Sequence, residues 1–452
     1  MVRVNGRKNE AVNEEWTCDR GKFGHEFYNS SDRLTRPLLR KGDRLVESTW
    51  AEAYEAIGKA FSAPGARVAA LGGSECSNED LYLLQRLFRR EFKSNNLDHR
   101  FTRILPTAAE RTAPPQTRIA DLERARTILV FGTSLADDLP MFFLRVRKAW
   151  FKHGSRVIVA HHEPTDADSF AHLVLRYKPG AAAALASGLA KAVSGKRGEW
   201  DAERVAKETG IPVAQLGEAA AVLTGSRAPV LASRRFYDLA DGLGAVRAGR
   251  NLANAIGGPF NLYGLRANDE GAEEMGILPD GLPGRRSLDD SGHDDFHAPA
   301  MKGLNTEGVL KACGDGSLEA LWLVGADPLV EWHDRTQGER ALETVPFLVV
   351  QAHSAGEAMA FASVVLPMTA PAEQDGTYTS AERRVQRLRP ILPPEGEAKP
   401  AWRIFSEMSL RLRPETPLFN PGDVMERIAR EVPVFEAAHF AIIPSEGALL
   451  DS

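Results

Sequence analysis

Three cysteines, Cys18, Cys76 and Cys313, are the only thiols in 452 residues. A self-contained iron–sulfur or four-thiolate zinc site needs four. Their wide spacing also excludes a disulfide scaffold. Cys76 stands just ahead of a predicted helix, where a thiol pKa can fall, but a lone cysteine there reads as a small buried residue. His161, His162 and Glu163 are adjacent, so their side chains diverge from the end of a strand. His293 and His297 have the i, i+4 spacing of a helical zinc pair, but in a Gly- and Asp-rich stretch without a helix signal. The turn from Phe131 through Gly132, Thr133 and Ser134 to Asp137 and Asp138 is not G-x-G-x-x-G, and its acidic pair would repel a phosphate. Neither a P-loop nor a G-x-S-x-G elbow occurs.

The elements that must position these groups read as α/β. Thr49 and Glu52 have capping-box spacing, and Trp50, Ala53, Tyr54, Ile57 and Phe61 follow at helical period. A short strand at 66–73 and a second capped helix from Ser77 to Phe92 come next. The run 126–132, a helical stretch to His153 and the run 155–160 form a βαβ unit, which implies a parallel sheet covered on both faces. Strands at 172–177 and 229–233, with helices at 181–193 and 237–255, extend it, and strands at 319–325, 345–351 and 363–367 build a second block. Residues 259–305 lack periodicity and read as a functional loop or an exposed crossing. The proline-rich end reads as a segment that wraps a surface or links onward rather than forming a core. With 56 Lys+Arg against 61 Asp+Glu, a formal charge of −5 argues against a nucleic-acid partner. No run of 18 apolar residues is present and the first residues have no signal-peptide character, so the expected setting is cytoplasmic.

Cys18 lies in a stretch that carries a resemblance. Thr17-Cys18-Asp19-Arg20-Gly21-Lys22-Phe23, followed by Asp32-Arg33-Leu34-Thr35-Arg36-Pro37-Leu38, resembles the segment after the last iron–sulfur ligand in the molybdopterin oxidoreductase superfamily, which includes formate dehydrogenases. The preceding Asn13-Glu14-Glu15-Trp16 is most similar to the large peripheral-arm subunits of NADH-quinone oxidoreductase, respiratory complex I. The similarity continues through Ser77–Gln85, Asn95–Asp98, Gly325–Pro328, Ser363–Pro367 and Glu373–Arg387, covering about residues 2–412.

The resemblance implies a scaffold with two Rossmann-like parallel-sheet lobes, one inserted in the other. Residues 1–47 would be the remnant of the 4Fe-4S domain, 48–115 plus 305–412 a discontinuous α/β domain, 116–304 the inserted domain, and 413–452 a tail. It also implies that Cys18 is a fourth 4Fe-4S ligand, to be completed by an upstream partner segment of a split or truncated chain. Arg20 would replace the family lysine between cluster and pterin. Where the family holds molybdenum, Arg103-Ile104-Leu105-Pro106 offers no thiolate, hydroxyl or carboxylate, and the acidic residue for the guanosine is replaced around His161 and His162. The expectation is therefore a structural, electron-transfer subunit of the complex I peripheral arm. It would have no molybdenum site, no small-molecule substrate and no catalysis of its own, and would reach the membrane only through partner subunits. The alternatives are a fragment of a formate-dehydrogenase-like molybdopterin oxidoreductase and a free-standing module for a nucleotide-like ligand.

Overall fold

Apolar runs that are buried along their whole length set the architecture. A computed structural model describes residues 1–450 apart from 64, 66, 196–200 and 290–295. In chain order the strands are β1 Leu38–Lys41, β2 Arg44–Glu47, β3 Val68–Gly72, β4 Leu97–Asp98, β5 Thr127–Phe131, β6 Arg156–His161, β7 Leu173–Arg176, β8 Val230–Ser233 and β9 Phe260–Tyr263. There follow β10 Gly281–Leu282, β11 Arg286–Ser287, β12 Ala320–Val324, β13 Phe347–Ala352, β14 Val364–Pro367, β15 Gly376–Thr379, β16 Arg384–Leu388 and β17 Ala448–Leu449.

The large lobe is a seven-stranded sheet in the order β2-β1-β14-β13-β12-β3-β4. Its centre is parallel, with Leu71 of β3 opposite Leu323 of β12 and Trp322 opposite Val349 of β13. Every residue of β3 and β12 is buried, as a strand covered on both faces requires. The small lobe is a parallel five-stranded sheet, β7-β6-β5-β8-β9. β5 is likewise buried throughout. This is a mixed α/β fold with two parallel-sheet lobes. The helix Trp50–Phe61 starts at Thr49 with both capping-box bonds made, and its buried Ala53, Tyr54, Ile57 and Phe61 are the apolar positions of the sequence pattern.

Two segments differ from their sequence reading, and a third, 38–47, carries regular structure that the reading did not assign. Residues 38–47 form a β-hairpin, turning at Gly42 (φ +61°), whose β1 pairs antiparallel with β14 and so extends the large sheet. The stretch after 263 is not an exposed crossing. The helix Asp269–Glu274 is buried at every position, and Ala272, Met275, Ile277, Leu282 and Leu288 join the core of the large lobe. The end of the chain is not a surface wrap either. The helix Pro421–Glu431, capped by Asn420, puts Val424, Met425 and Ile428 into that core with Val432 and Phe435. Pro421 sits in the first helical turn, where a missing N–H costs nothing, so proline here starts structure instead of breaking it.

Candidate functional site

Open α/β sheets take ligands in the crevice beyond the carboxyl ends of their strands, where strand order reverses. In this chain the carboxyl ends of β4, β8 and β9 look onto one cavity of about 300 Å³ between the lobes. His99 and Arg100 leave β4, Arg234, Arg235 and Tyr237 leave β8, Leu265 and Arg266 follow β9, and Asp269 and Glu273 come from the buried helix.

His99 is held at the wall by Ser74, whose Oγ lies 3.0 Å from Nδ1. Asp269 Oδ1 is 3.7 Å from the same nitrogen, and Glu273 Oε1 is 3.9 Å from Nε2. Arg234 reaches Glu270 at 2.9 Å and Glu273 at 3.6 Å, and Arg285 binds Glu274 at 2.6 Å and pairs with Glu270. Arg383 comes from the far end of the chain to the same Glu274 oxygen at 3.0 Å. Arg100 forks onto Asp98 through Nε at 2.8 Å and Nη2 at 2.9 Å. Burial works against the carboxylate of Glu273, but the facing guanidinium groups of Arg234 and Arg285 outweigh it and bring the carboxyl down to about 2. Burial likewise opposes ionisation of Asp269, and its bond to His99 and the charge of Arg234 hold it well below the usual carboxylate range. The network is charged, buried and largely self-satisfied. His99 Nε2 and Arg234 Nη1 are buried atoms with no hydrogen-bond partner among the described residues.

Cys18 and Arg20 do not line this cavity. Cys18 caps the short helix Asp19–Phe23 and accepts the Gly21 N–H on Sγ at 3.4 Å. The thiol is half-buried, Arg20 is exposed, and Trp16 and Phe23 beside them are 60% and 61% exposed. Cys76 and Cys313 are buried in the cores on the two sides of the large sheet. A 4Fe-4S cluster therefore does not fit the thiols of this chain alone. Burial pushes the Cys76 thiol well up, which agrees with a packed residue rather than a reactive one. His161 and His162 stack with centroids 4.5 Å apart, and Nδ1 of His161 lies 2.9 Å from both the N and the O of Glu163, so these groups serve their own loop. His297 is exposed, and His293 lies outside the described residues. Among the described residues no group of three or more His, Cys, Asp or Glu is placed to hold a metal ion.

Sequence reasoning missed His99, Arg234, Glu270, Glu273, Glu274 and Arg285. Asp269-Glu270-Gly271-Ala272-Glu273-Glu274 looks like a solvated acidic run. Its partners lie at 99, 234, 285 and 383, so the pairing that buries it is not a local signal.

The comparisons with known proteins bear on this geometry. A family profile described as molybdopterin oxidoreductase matches residues 33–411. Similar curated proteins include the NADPH-Fe(3+) oxidoreductase subunit alpha of Geobacter sulfurreducens, 28% identical over 95% of this chain and 56% of that protein. A putative formate dehydrogenase of Bacillus subtilis is 28% identical over 100% of this chain and 51% of its own length. The F420-dependent formate dehydrogenase subunit alpha of Methanocaldococcus jannaschii is 28% identical, over 91% of this chain and 67% of its own. The chain spans about half the length of the first two. Acetylene hydratase from Pelobacter acetylenicus has a similar fold, with a TM-score of 0.76 at 14% identity over 99% of this chain and 70% of that one.

Proposed function

Since the chain belongs to the molybdopterin oxidoreductase family, we propose that it is the α/β scaffold of a multi-chain oxidoreductase of the formate-dehydrogenase type. Relatives named as formate dehydrogenases support that type over the complex I arm expected from the sequence. The observation that carries the scaffold role is the setting of Cys18. It is a half-buried thiol with an N–H bonded to sulfur, flanked by exposed Trp16 and Phe23. Such a thiol would be completed as a ligand by other chains, and exposed Trp16 and Phe23 would give apolar anchor points for a cluster-bearing partner. Electrons would then pass through groups held by neighbouring subunits, and any membrane contact would run through them; no described helix is long and apolar enough to cross a membrane.

A second reading, a structural subunit of an NADH:quinone oxidoreductase at the inner face of the cell membrane, rests on Asn13-Glu14-Glu15-Trp16 ahead of Cys18. The two readings separate when the tagged chain is isolated anaerobically from its native cells and the eluate is assayed. Formate-dependent dye reduction by co-purifying subunits is the expected result. NADH-dependent quinone reduction would favour the second reading, and a solitary chain would overturn both.

A further inference from the structure

The family implies a pterin dinucleotide, and the residues of this chain test whether one fits. Three positions beyond the strand ends bear on it. In the small lobe, order reverses between β5 and β8, and the turn after β5 passes through Gly132 at φ +62°. A pyrophosphate would need open backbone there and an unencumbered helix start. The Phe236 ring instead lies on that turn, so close that a Cβ added at Gly132 would run into it. Beside it the carboxylate of Asp138, only 4% exposed, accepts from Thr133 at 2.8 Å, Ser233 at 2.9 Å and Arg235 at 3.0 Å. The turn that a diphosphate would need open is thus filled by a carboxylate already paired with Arg235 and bonded to two hydroxyls.

In the large lobe, the equivalent reversal lies between β3 and β12. The turn after β12 is closed by Asp327, whose carboxylate takes the N–H of Leu329 at 3.0 Å and of Ala358 at 2.9 Å. Between the lobes, Arg234 at the end of β8 crosses to Glu270 and Glu273 on the helix that belongs to the large-lobe core. The space left, about 300 Å³, is at the bottom of the roughly 300–1,000 Å³ range for drug-sized ligands, and a pterin dinucleotide is larger than those.

We infer that this cleft is closed to a pterin dinucleotide by the chain's own side chains: Phe236 and Asp138, packed behind the cavity wall, fill the turn after β5 where strand order reverses, and the Arg234–Glu270–Glu273 bridge ties the lobes together beside the space that is left. The inference uses the family membership and not the formate-dehydrogenase reading, so a partner assay can fail while the closed cleft stands. A buried bridge of this kind is costly to break on one side, because the remaining charge is left uncompensated.

The test uses the full chain, produced in a bacterial host that makes molybdopterin guanine dinucleotide, beside a complete molybdopterin oxidoreductase as control. Protein is denatured, the extract is oxidised with iodine, and pterin fluorescence per chain is read. The control is expected to yield pterin and this chain only the background of a mock purification. Pterin above that background overturns the closed cleft. The tie is read separately from Tm. Arg234→Met and Glu270→Gln each lower Tm, and the double variant falls by clearly less than the sum of the two. Additive falls overturn the bridge.

Discussion

Arg89 shows what one buried side chain does in this fold. It is fully buried and hydrogen-bonds Gln85, Asn95 and the carbonyls of Gly276, Leu278 and Gly281, at 2.9, 3.1 and 2.5 Å for the last three. It thereby fixes the loop that follows the buried acidic helix. Arg89→Met keeps much of the volume but leaves three carbonyls without a donor, and is expected to cost about 3 kcal/mol or more, read from the urea midpoint. Glu79 offers a pH prediction. Burial is the largest influence on its carboxyl and raises it to about 8, against the bonds it accepts from the N–H and hydroxyl of Thr377. The folded state therefore keeps a proton that the unfolded state has released above about 4.5. Its contribution is fully present below that pH and is lost as pH rises through 8, with a slope of up to about 1.4 kcal/mol per unit. Urea titrations of wild type and Glu79→Gln across pH 5–8 should differ by that slope; parallel curves would refute it. At Cys18, serine keeps the helix cap, so Cys18→Ser should shift the stability of the isolated chain by no more than about 0.5 kcal/mol in thermal unfolding. Cys18 and Arg20 could be singled out in the sequence because a motif surrounds them. His99 could not, since its meaning comes from Ser74, Asp269 and Glu273, which only the folded chain brings to it.

Among the elements, those legible in the sequence share one property: their signal is complete within ten or fifteen residues. The run Ala320–Val324 is apolar at every position because both faces of its sheet are covered, and the Thr49–Glu52 pair announces the helix it begins. Thr49→Ala should accordingly cost about 1 kcal/mol, measurable as a shift in the urea midpoint without a change in its slope. The hairpin 38–47 gives a weaker signal, since β1 and β2 are half-exposed and carry Arg40, Lys41 and Arg44. Such charges suit the edge of a sheet and disguise the strand. The last forty residues mislead for another reason. Their prolines mark linkers in composition, yet Tyr82 bonds Glu431, and Arg90 holds Glu415 at 2.8 Å, tying that end to the helix after β3. A chain ending at 412 would uncover the apolar residues that meet Val424, Met425, Ile428, Val432 and Phe435. It is expected to be insoluble or to lack a cooperative thermal transition; a cooperative transition near that of the full chain would show the segment dispensable.

At the scale of the whole molecule, the boundary between the lobes decides which residues can fold together. The small lobe has cores on both sides of its sheet that draw on residues between 119 and 263, apart from peripheral contacts such as Val12 and Ala381. Asn261 closes that unit by accepting the N–H groups of Gln116 and Thr117, both at 2.9 Å. Beyond it the chain leaves, and Ala272, Met275, Ile277, Leu282, Leu288, Phe296 and Ala298 pack on the large lobe. The small-lobe core therefore ends near 264, about forty residues before the boundary that the family resemblance implied, because the acidic helix is buried through ion pairs that hydropathy cannot register. Two excised polypeptides make this testable. Residues 114–266 carry a complete five-stranded sheet and should be soluble with a cooperative thermal transition. Residues 114–304 would also carry Met275, Ile277, Leu282 and Leu288 without the helices they pack on, together with Glu274 without Arg383. The longer polypeptide should aggregate on gel filtration while the shorter runs as a monomer. The reverse order would mean that the acidic helix belongs to the small lobe, and the Arg234 bridge would then join parts of one unit instead of two.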